Sequence, residues 1–395
     1  MRFLTGLASL LTLACTCSAQ FNGSSESGGG QPFFIPSAIW VGSDQNNHWT
    51  DTVNWLNAVT PANDGTASVF IASSVNGFDE RGITLDLAAD IGTLIFRQSS
   101  NLQIGSDFSP DRSLTIQNAV ISLSIYYNSE IYFDPSLSVF AGTDTDWQLG
   151  YGVELELAGP FHSSTSVFID GGGSLLFNYD NSTTFSGEII LIGGTLGIAN
   201  DQALGTAEII LGGLGNYESY ASLKAVDGDR SIANNIRVTG NSLSTEPDYD
   251  FTQESESPGA KNKLNLQGTV VFEHDTYIDN YGGILSFEGT VGEADSPSQL
   301  IVSGSSPVIF NGLTTVTGGI IAQNGVVIFG DDDALPAGPA AGALIAEGYG
   351  YIGLIEETAD QRSTALANFL TLFNPSMTAG TIGLDTDPTA GAINS

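Results

Sequence analysis

Cysteine, histidine and basic side chains are the scarce residue types in this chain of 395 residues. Its 2 cysteines, Cys15 and Cys17, both fall within the first nineteen positions. Residues 20–395 therefore have no disulfide and no thiol nucleophile. They must stand on buried apolar surface, which a chain of this length can supply. The 3 histidines, His48, His162 and His274, are too far apart for metal-ligand spacing, and each is expected at a turn or on the surface.

The 10 Lys and Arg face 44 Asp and Glu, a net charge of −34. Such a surface repels nucleic acid and anionic membrane, because phosphate binding needs clustered Lys and Arg. The acid excess is expected to serve solubility and mutual repulsion of copies, with divalent-cation binding as the sharper alternative. Long amphipathic helical stretches are nearly absent. No Gly-rich loop leads into a helix with a following Lys, and no serine sits in a Gly-x-Ser-x-Gly elbow, so nucleotide binding and that serine chemistry have no support.

What is present begins with residues 1–19. Arg2, the apolar run Phe3 to Leu13 and the small-residue stretch Cys17-Ser18-Ala19 have the form of a signal peptide cut after Ala19. The run is shorter than the ~20 residues a spanning helix needs. A lipoprotein acylated at Cys15 or Cys17 is the alternative. Removing Arg2 from the 10 bases leaves 9 against the same 44 acids. Residues 20–39 form a Gly/Ser-rich leader, expected to be flexible.

From about residue 66 to 355 the pattern is all-β. Ile83-Thr84-Leu85-Asp86-Leu87, Leu114-Thr115-Ile116, Val153-Glu154-Leu155-Glu156-Leu157 and Ile284-Leu285-Ser286-Phe287 alternate apolar and polar, the signature of half-buried strands. Gly, Asn and Asp between them supply positive-φ turn positions. Short strands at this spacing suit a sandwich, a propeller or a solenoid, and an internal repeat decides among them. Thr183-Thr184-Phe185-Ser186-Gly187-Glu188-Ile189-Ile190 aligns with Thr314-Thr315-Val316-Thr317-Gly318-Gly319-Ile320-Ile321, and Asp201-Gln202-Ala203-Leu204 with Asp332-Asp333-Ala334-Leu335. The offset is constant. A unit of two or three short strands cannot bury its apolar face alone and must stack on neighbours, which is the logic of a solenoid.

Within residues 185–205 the run Phe185-Ser186-Gly187, Gly194-Thr195-Leu196 and Ala203-Leu204-Gly205 resembles the autotransporter-associated β-strand repeat. The resemblance is clearest over 170–213. It is degenerate over 300–338, where Val316, Val327 and Pro336 replace the aromatic, the leucine and the last glycine. Trp40, Trp49, Asn54-Trp55, Pro61, Asp64 and Ala67 to Phe70 look like the tryptophan-rich segment that opens such repeats. Residues 40–70 are then expected to cap the first rung; a carbohydrate-stacking platform is the competing reading. The resemblance implies a right-handed parallel β-helix over 71–355, an exported, passenger-like role and no catalytic residues. Members of that family commonly end in an outer-membrane β-barrel. No segment here resembles one, and the chain is expected to be a secreted passenger, a fragment or a protein anchored otherwise.

Two regions break the strand rhythm. Residues 240–262 are acidic and Ser-rich, as an inter-rung surface loop would be. Ala365, Leu366, Phe369, Leu370 and Phe373 fall at helical spacing, predicting a short amphipathic helix over 358–374 within a C-terminal segment 356–395.

The enzyme alternative comes from the fold, because parallel β-helices include polysaccharide lyases and hydrolases. The only tight acidic cluster is Asp331-Asp332-Asp333. Its nearest bases, Lys263 and Arg362, are distant in sequence, and the cluster occupies the repeat turn, where local hydrogen bonds account for it. The expectation is an all-β, secreted or outer-membrane-associated scaffold. No catalytic, cofactor or metal residues and no calcium requirement are expected. Nor are a nucleic-acid partner or a membrane span after the signal peptide. An adhesin binding a surface glycan or envelope component is the alternative.

Overall fold

The computed structural model describes residues 35–42, 46–72, 82–97, 102–107, 112–122, 129–212, 221–246, 262–330, 333–336, 343–355, 362–373 and 380–385. Residues 1–19, expected to be a signal peptide, and most of the expected leader lie outside these residues. The chain winds as a parallel β-solenoid of about 10 turns, and among the described residues one short α-helix lies near the C-terminus. Its strands form three sheets, of 13, 12 and 7 strands, in which each strand pairs in parallel with the strand one turn away. The sheets are the faces of the coil, called here first, second and third.

The alternating patterns become faces in a simple way. In Val153–Leu157, Val153, Leu155 and Leu157 point inward and are buried, while Glu154 and Glu156 point out. The strand lies between Ser129–Phe133 and Ser174–Phe177 on the second face, so Leu155 stacks on Ile131 and on Leu175. Burying one such side chain contributes roughly 1.5–3 kcal/mol, and each turn adds several. Ile189, Leu191, Leu196 and Ile198 are all buried in this way. Within the later turns Phe287, Phe310 and Phe329 form a ladder of stacked rings, 5.0 and 5.5 Å between centroids.

The constant-offset repeat does not correspond to one turn of the coil. Glu188–Leu191 lies on the first face, but its counterpart Ile320–Gln323 lies on the second. Gly194–Ile198 lies on the second face and its counterpart Val326–Phe329 on the third. What the two copies share is a strand, a sharp corner and a strand. Each corner needs one residue in the left-handed region, supplied by Gly194 (φ 81°) in one copy and Asn324 (φ 58°) in the other. Corners at different edges of the coil have the same local task, so their sequences converge.

The Trp-rich segment is the first rung itself. Ala38–Trp40 pairs with Ser68–Ala72 on the first face, and His48 bridges to Thr84 on the second. Ala38 and Ile39, placed in the leader by sequence, are therefore already in the coil. The loop expected over 240–262 is also shorter than predicted. Ser242–Thr245 is a second-face strand with Leu243 fully buried, and Asn262 is buried beside the third face. One apolar residue among serines and threonines carries too little periodicity to reveal a strand. Residues 247–261 lie outside the described residues.

The helix spans Arg362–Leu372, between the third-face strands Tyr351–Ile355 and Thr381–Asp385. Phe369 is fully buried against Phe329 and Phe373, at 6.5 and 5.0 Å between ring centroids, and so covers the end of the phenylalanine ladder. Leu370, assigned by spacing to the apolar face, is exposed, and Leu372 is buried in its place.

Candidate functional surface

A solenoid brings together residues about one turn apart, so its sites form along columns of side chains on successive rungs. The Trp segment, the first candidate, is closed. Trp40 stacks on Trp49 (6.1 Å, 23°), and Trp55 meets both edge-on at 5.0 and 4.8 Å. All three are buried. Their faces are occupied by one another, which fits the cap and leaves no flat indole for a sugar ring. Asn54, also buried, ties the segment by donating to His48 O (2.9 Å) and Asn46 Oδ1 (3.0 Å).

The histidines stand on separate rungs. His48 is exposed, with Nδ1 3.7 Å from Asp86. His162 is a half-buried strand residue rather than a turn residue, its ring stacked on Phe140 at 4.1 Å, and burial holds its pKa below the usual value. His274 lies in the turn after Val270–Phe272. Of the acidic cluster, Asp331 and Asp332 lie outside the described residues, and Asp333 sits exposed in a turn. Asp201, the counterpart of Asp332 in the other copy, does not use its carboxylate for a local bond. It accepts the backbone N–H of Ser231, on the following turn of the coil, at 3.0 Å.

That cross-rung use of carboxylates recurs. Asp86 accepts Thr50 N–H (3.0 Å), Asp229 accepts Lys263 N–H (2.7 Å), Asp275 accepts Gln299 N–H (2.8 Å) and Glu293 accepts Thr317 N–H (3.0 Å). At these corners carboxylates therefore satisfy backbone donors on a neighbouring rung.

Other acids line up on the outer faces. Glu130 and Glu154 are register partners on the second face, as are Glu188 and Glu208 on the first. Asp146 is the partner of Phe168, and Asp170 of Gln148. Burial raises the pKa of Asp146, a hydrogen bond from Gln148 (2.7 Å) opposes that, and the Asp170 charge adds to the rise. Glu208 is 3.8 Å from Arg237, which reaches Glu273 at 3.5 Å. These pairs were invisible in sequence, where the partners are twenty or more positions apart. Among the described residues no group of three or more His, Cys, Asp or Glu is placed to hold a metal ion, and no helix is long and apolar enough to cross a membrane.

The second face also carries an apolar column late in the coil. Tyr277, Ile301, Ile321 and Ile345 point outward in register and are incompletely buried. No family model matches the chain, and neither a curated protein nor a solved structure matches it.

Proposed function

We propose that the chain is an exported structural protein of passenger type, a β-helical scaffold displayed at the cell surface or secreted, with no catalytic activity of its own. The observation that carries this reading is the closing of the core by aromatic side chains toward both ends of the described coil. The Trp40–Trp49–Trp55 cluster closes the first described rung, and the helix bearing Phe369 packs against Phe329 beside the last rungs, ahead of Thr381–Asp385. A coil covered in this way has lateral faces as its main surface. Many of its polar side chains there join one rung to the next. The repeat-like run 185–205 and the signal-peptide form of residues 1–19 support export of such a scaffold.

Fractionation of producing cells, with N-terminal sequencing, tests export. The expected product starts at Gln20 and lies outside the cytoplasm; a start at Met1 in that pool would refute it. A start at lipid-modified Cys15 or Cys17 would establish a lipoprotein instead. Assays on pectin, alginate, xylan and chitin fragments test the absence of catalysis, and turnover on any of them would overturn the scaffold reading.

The column Tyr277–Ile301–Ile321–Ile345 favours the adhesin as a second reading, because an apolar strip on a lateral face offers contact area to a surface glycan or envelope component. Binding to one glycan without turnover, lost on Ile321→Ser, would move the assignment there.

A further inference from the structure

The first face ends in an unusual way. Its last strand is Val291–Glu293, and the chain one turn later pairs with it only through the bridge Val291–Thr314. Val291 N–H donates to Leu313 O (2.9 Å), and Thr315 N–H donates to Val291 O (2.8 Å), as a parallel ladder requires. The next rung of that ladder would take Thr317 N–H to the backbone carbonyl of Glu293. Instead, Thr317 N–H goes to the Glu293 carboxylate, at 3.0 Å to Oε2. The Thr317 hydroxyl donates to Oε1 (2.5 Å), and Ser298 N–H donates to Oε2 (2.8 Å). A side-chain carboxylate thus stands where a strand carbonyl would, and it gathers donors from two separate segments, 294–298 and 314–318.

The seam it closes is tight. A Cβ on Gly318 would lie 2.4 Å from the carbonyl carbon of Ser298, so the two backbones touch. Ser298, Thr314 and Val316 along the seam are buried.

We infer that Glu293 is an acid-released latch, whose protonation frees the 294–298 and 314–318 segments while the rungs before them stay wound. A carboxyl protonated on Oε1 makes the Thr317 hydroxyl reverse and accept, and leaves the two N–H groups on Oε2 bound to a neutral acceptor. The charge itself matters, because hydrogen bonds to an ionised acceptor are about twice as strong as neutral ones. Burial by itself pushes the Glu293 pKa up. The Thr317 hydroxyl and the N–H groups of Ser298, Thr317 and Gly318 outweigh it and hold the carboxyl below its usual value. With the folded pKa depressed, the latch's contribution is complete above the unfolded value and is lost as pH falls through the folded one.

Three other acids lie near it. Glu273, next after the register partner of Glu293, is turned to Arg237; Asp275 accepts Gln299 N–H; and Asp295 sits in the 294–298 turn. All three are acids, so none of them neutralises the Glu293 charge.

Hydrogen exchange of the full chain, corrected for the pH dependence of intrinsic rates, tests the latch. Peptides covering 294–299 and 313–318 should lose about tenfold or more in protection between about pH 6.5 and 3.5. Peptides covering 195–198 and 221–223, on paired strands that carry no carboxylate, should not change. Glu293→Gln should show the weakened protection already at the higher pH and no further acid step. Three results would each overturn the proposal: unchanged protection at the seam, loss of protection in all four peptides together, or the same acid step in Glu293→Gln as in the wild type.

Discussion

Trp55 donates its indole N–H to the backbone carbonyl of Trp49 at 2.7 Å, inside a cluster where the two rings also meet edge to face. One residue therefore supplies both packing and a hydrogen-bond partner at the point where the coil begins. Trp55→Phe keeps most of the ring and leaves the Trp49 carbonyl without that donor, and should cost about 1 kcal/mol. Trp55→Ala opens the cap and should cost about 3–5 kcal/mol. Urea unfolding of the two variants beside the wild type checks both values. Equal, near-zero losses would mean that the cap does not hold the first rung.

A second prediction concerns the corner where the third face turns into the first. There Gly268, Gly289 and Gly312 lie one above another on successive rungs. A Cβ at Gly312 would be 1.9 Å from the carbonyl oxygen of Gly289, far inside contact distance. The backbone, not a flexible side chain, would have to move. Gly312→Ala should therefore destabilise by about 3 kcal/mol or prevent folding. At Gly292 the only close atom is the Thr315 hydroxyl, at 3.2 Å, and Gly292→Ala should stay within about 1 kcal/mol. Thermal melts of the pair distinguish a spacing constraint from a general dislike of alanine.

The architecture was legible in the sequence because an inward-facing strand such as Val153–Leu157 announces itself by alternation, and because stacking is the only way so many short strands can bury a face. The number of residues between rungs was not legible. Turn lengths vary, and the alignment of Phe185-Ser186-Gly187 with Val316-Thr317-Gly318 matched similar corners at different edges. For the same reason sequence spacing could not place Asp146 near Asp170, or Glu293 against Thr317. Ser242–Thr245 was missed because its one core residue, Leu243, gives no period to detect. Leu370 was misplaced because Ala365, Leu366, Phe369 and Phe373 allow more than one apolar face, and the phenylalanine ladder selected the one that buries Phe369.

That selection gives a third prediction. Phe369 is fully buried at the end of the ladder, and Leu370 beside it is about half exposed (52%). Phe369→Ala should cost about 3–5 kcal/mol, while Leu370→Ala should stay within about 0.5 kcal/mol. If the helix were only resting on the coil, the two would be alike. Denaturant unfolding, followed by near-ultraviolet circular dichroism of the aromatic rings, gives both numbers in one experiment.

The last prediction runs opposite in sign to the acid-released latch. Asp146 lies on the first face with Phe168 as its register partner and Asp170 diagonal to it. Burial is the main cause of its raised pKa, the Gln148 hydrogen bond works against it, and Asp170 adds repulsion. A carboxyl whose folded pKa lies above its unfolded one favours the folded state most when protonated. Its contribution to stability therefore falls as pH rises from the unfolded value through the folded one, and at neutral pH the ionised group is a net burden. Asp146→Asn retains an oxygen for the Gln148 amide and carries no charge. It should raise stability at pH 7 by about 0.5 kcal/mol, a figure already reduced for solvent screening at a partly exposed site. Because the wild-type group is itself neutral at low pH, the gain should vanish below the unfolded aspartate pKa. Melting temperatures of the two proteins measured across that range check it: a difference that persists unchanged in acid would show that the carboxyl is not charged by neutral pH, or that the substitution acts through packing alone.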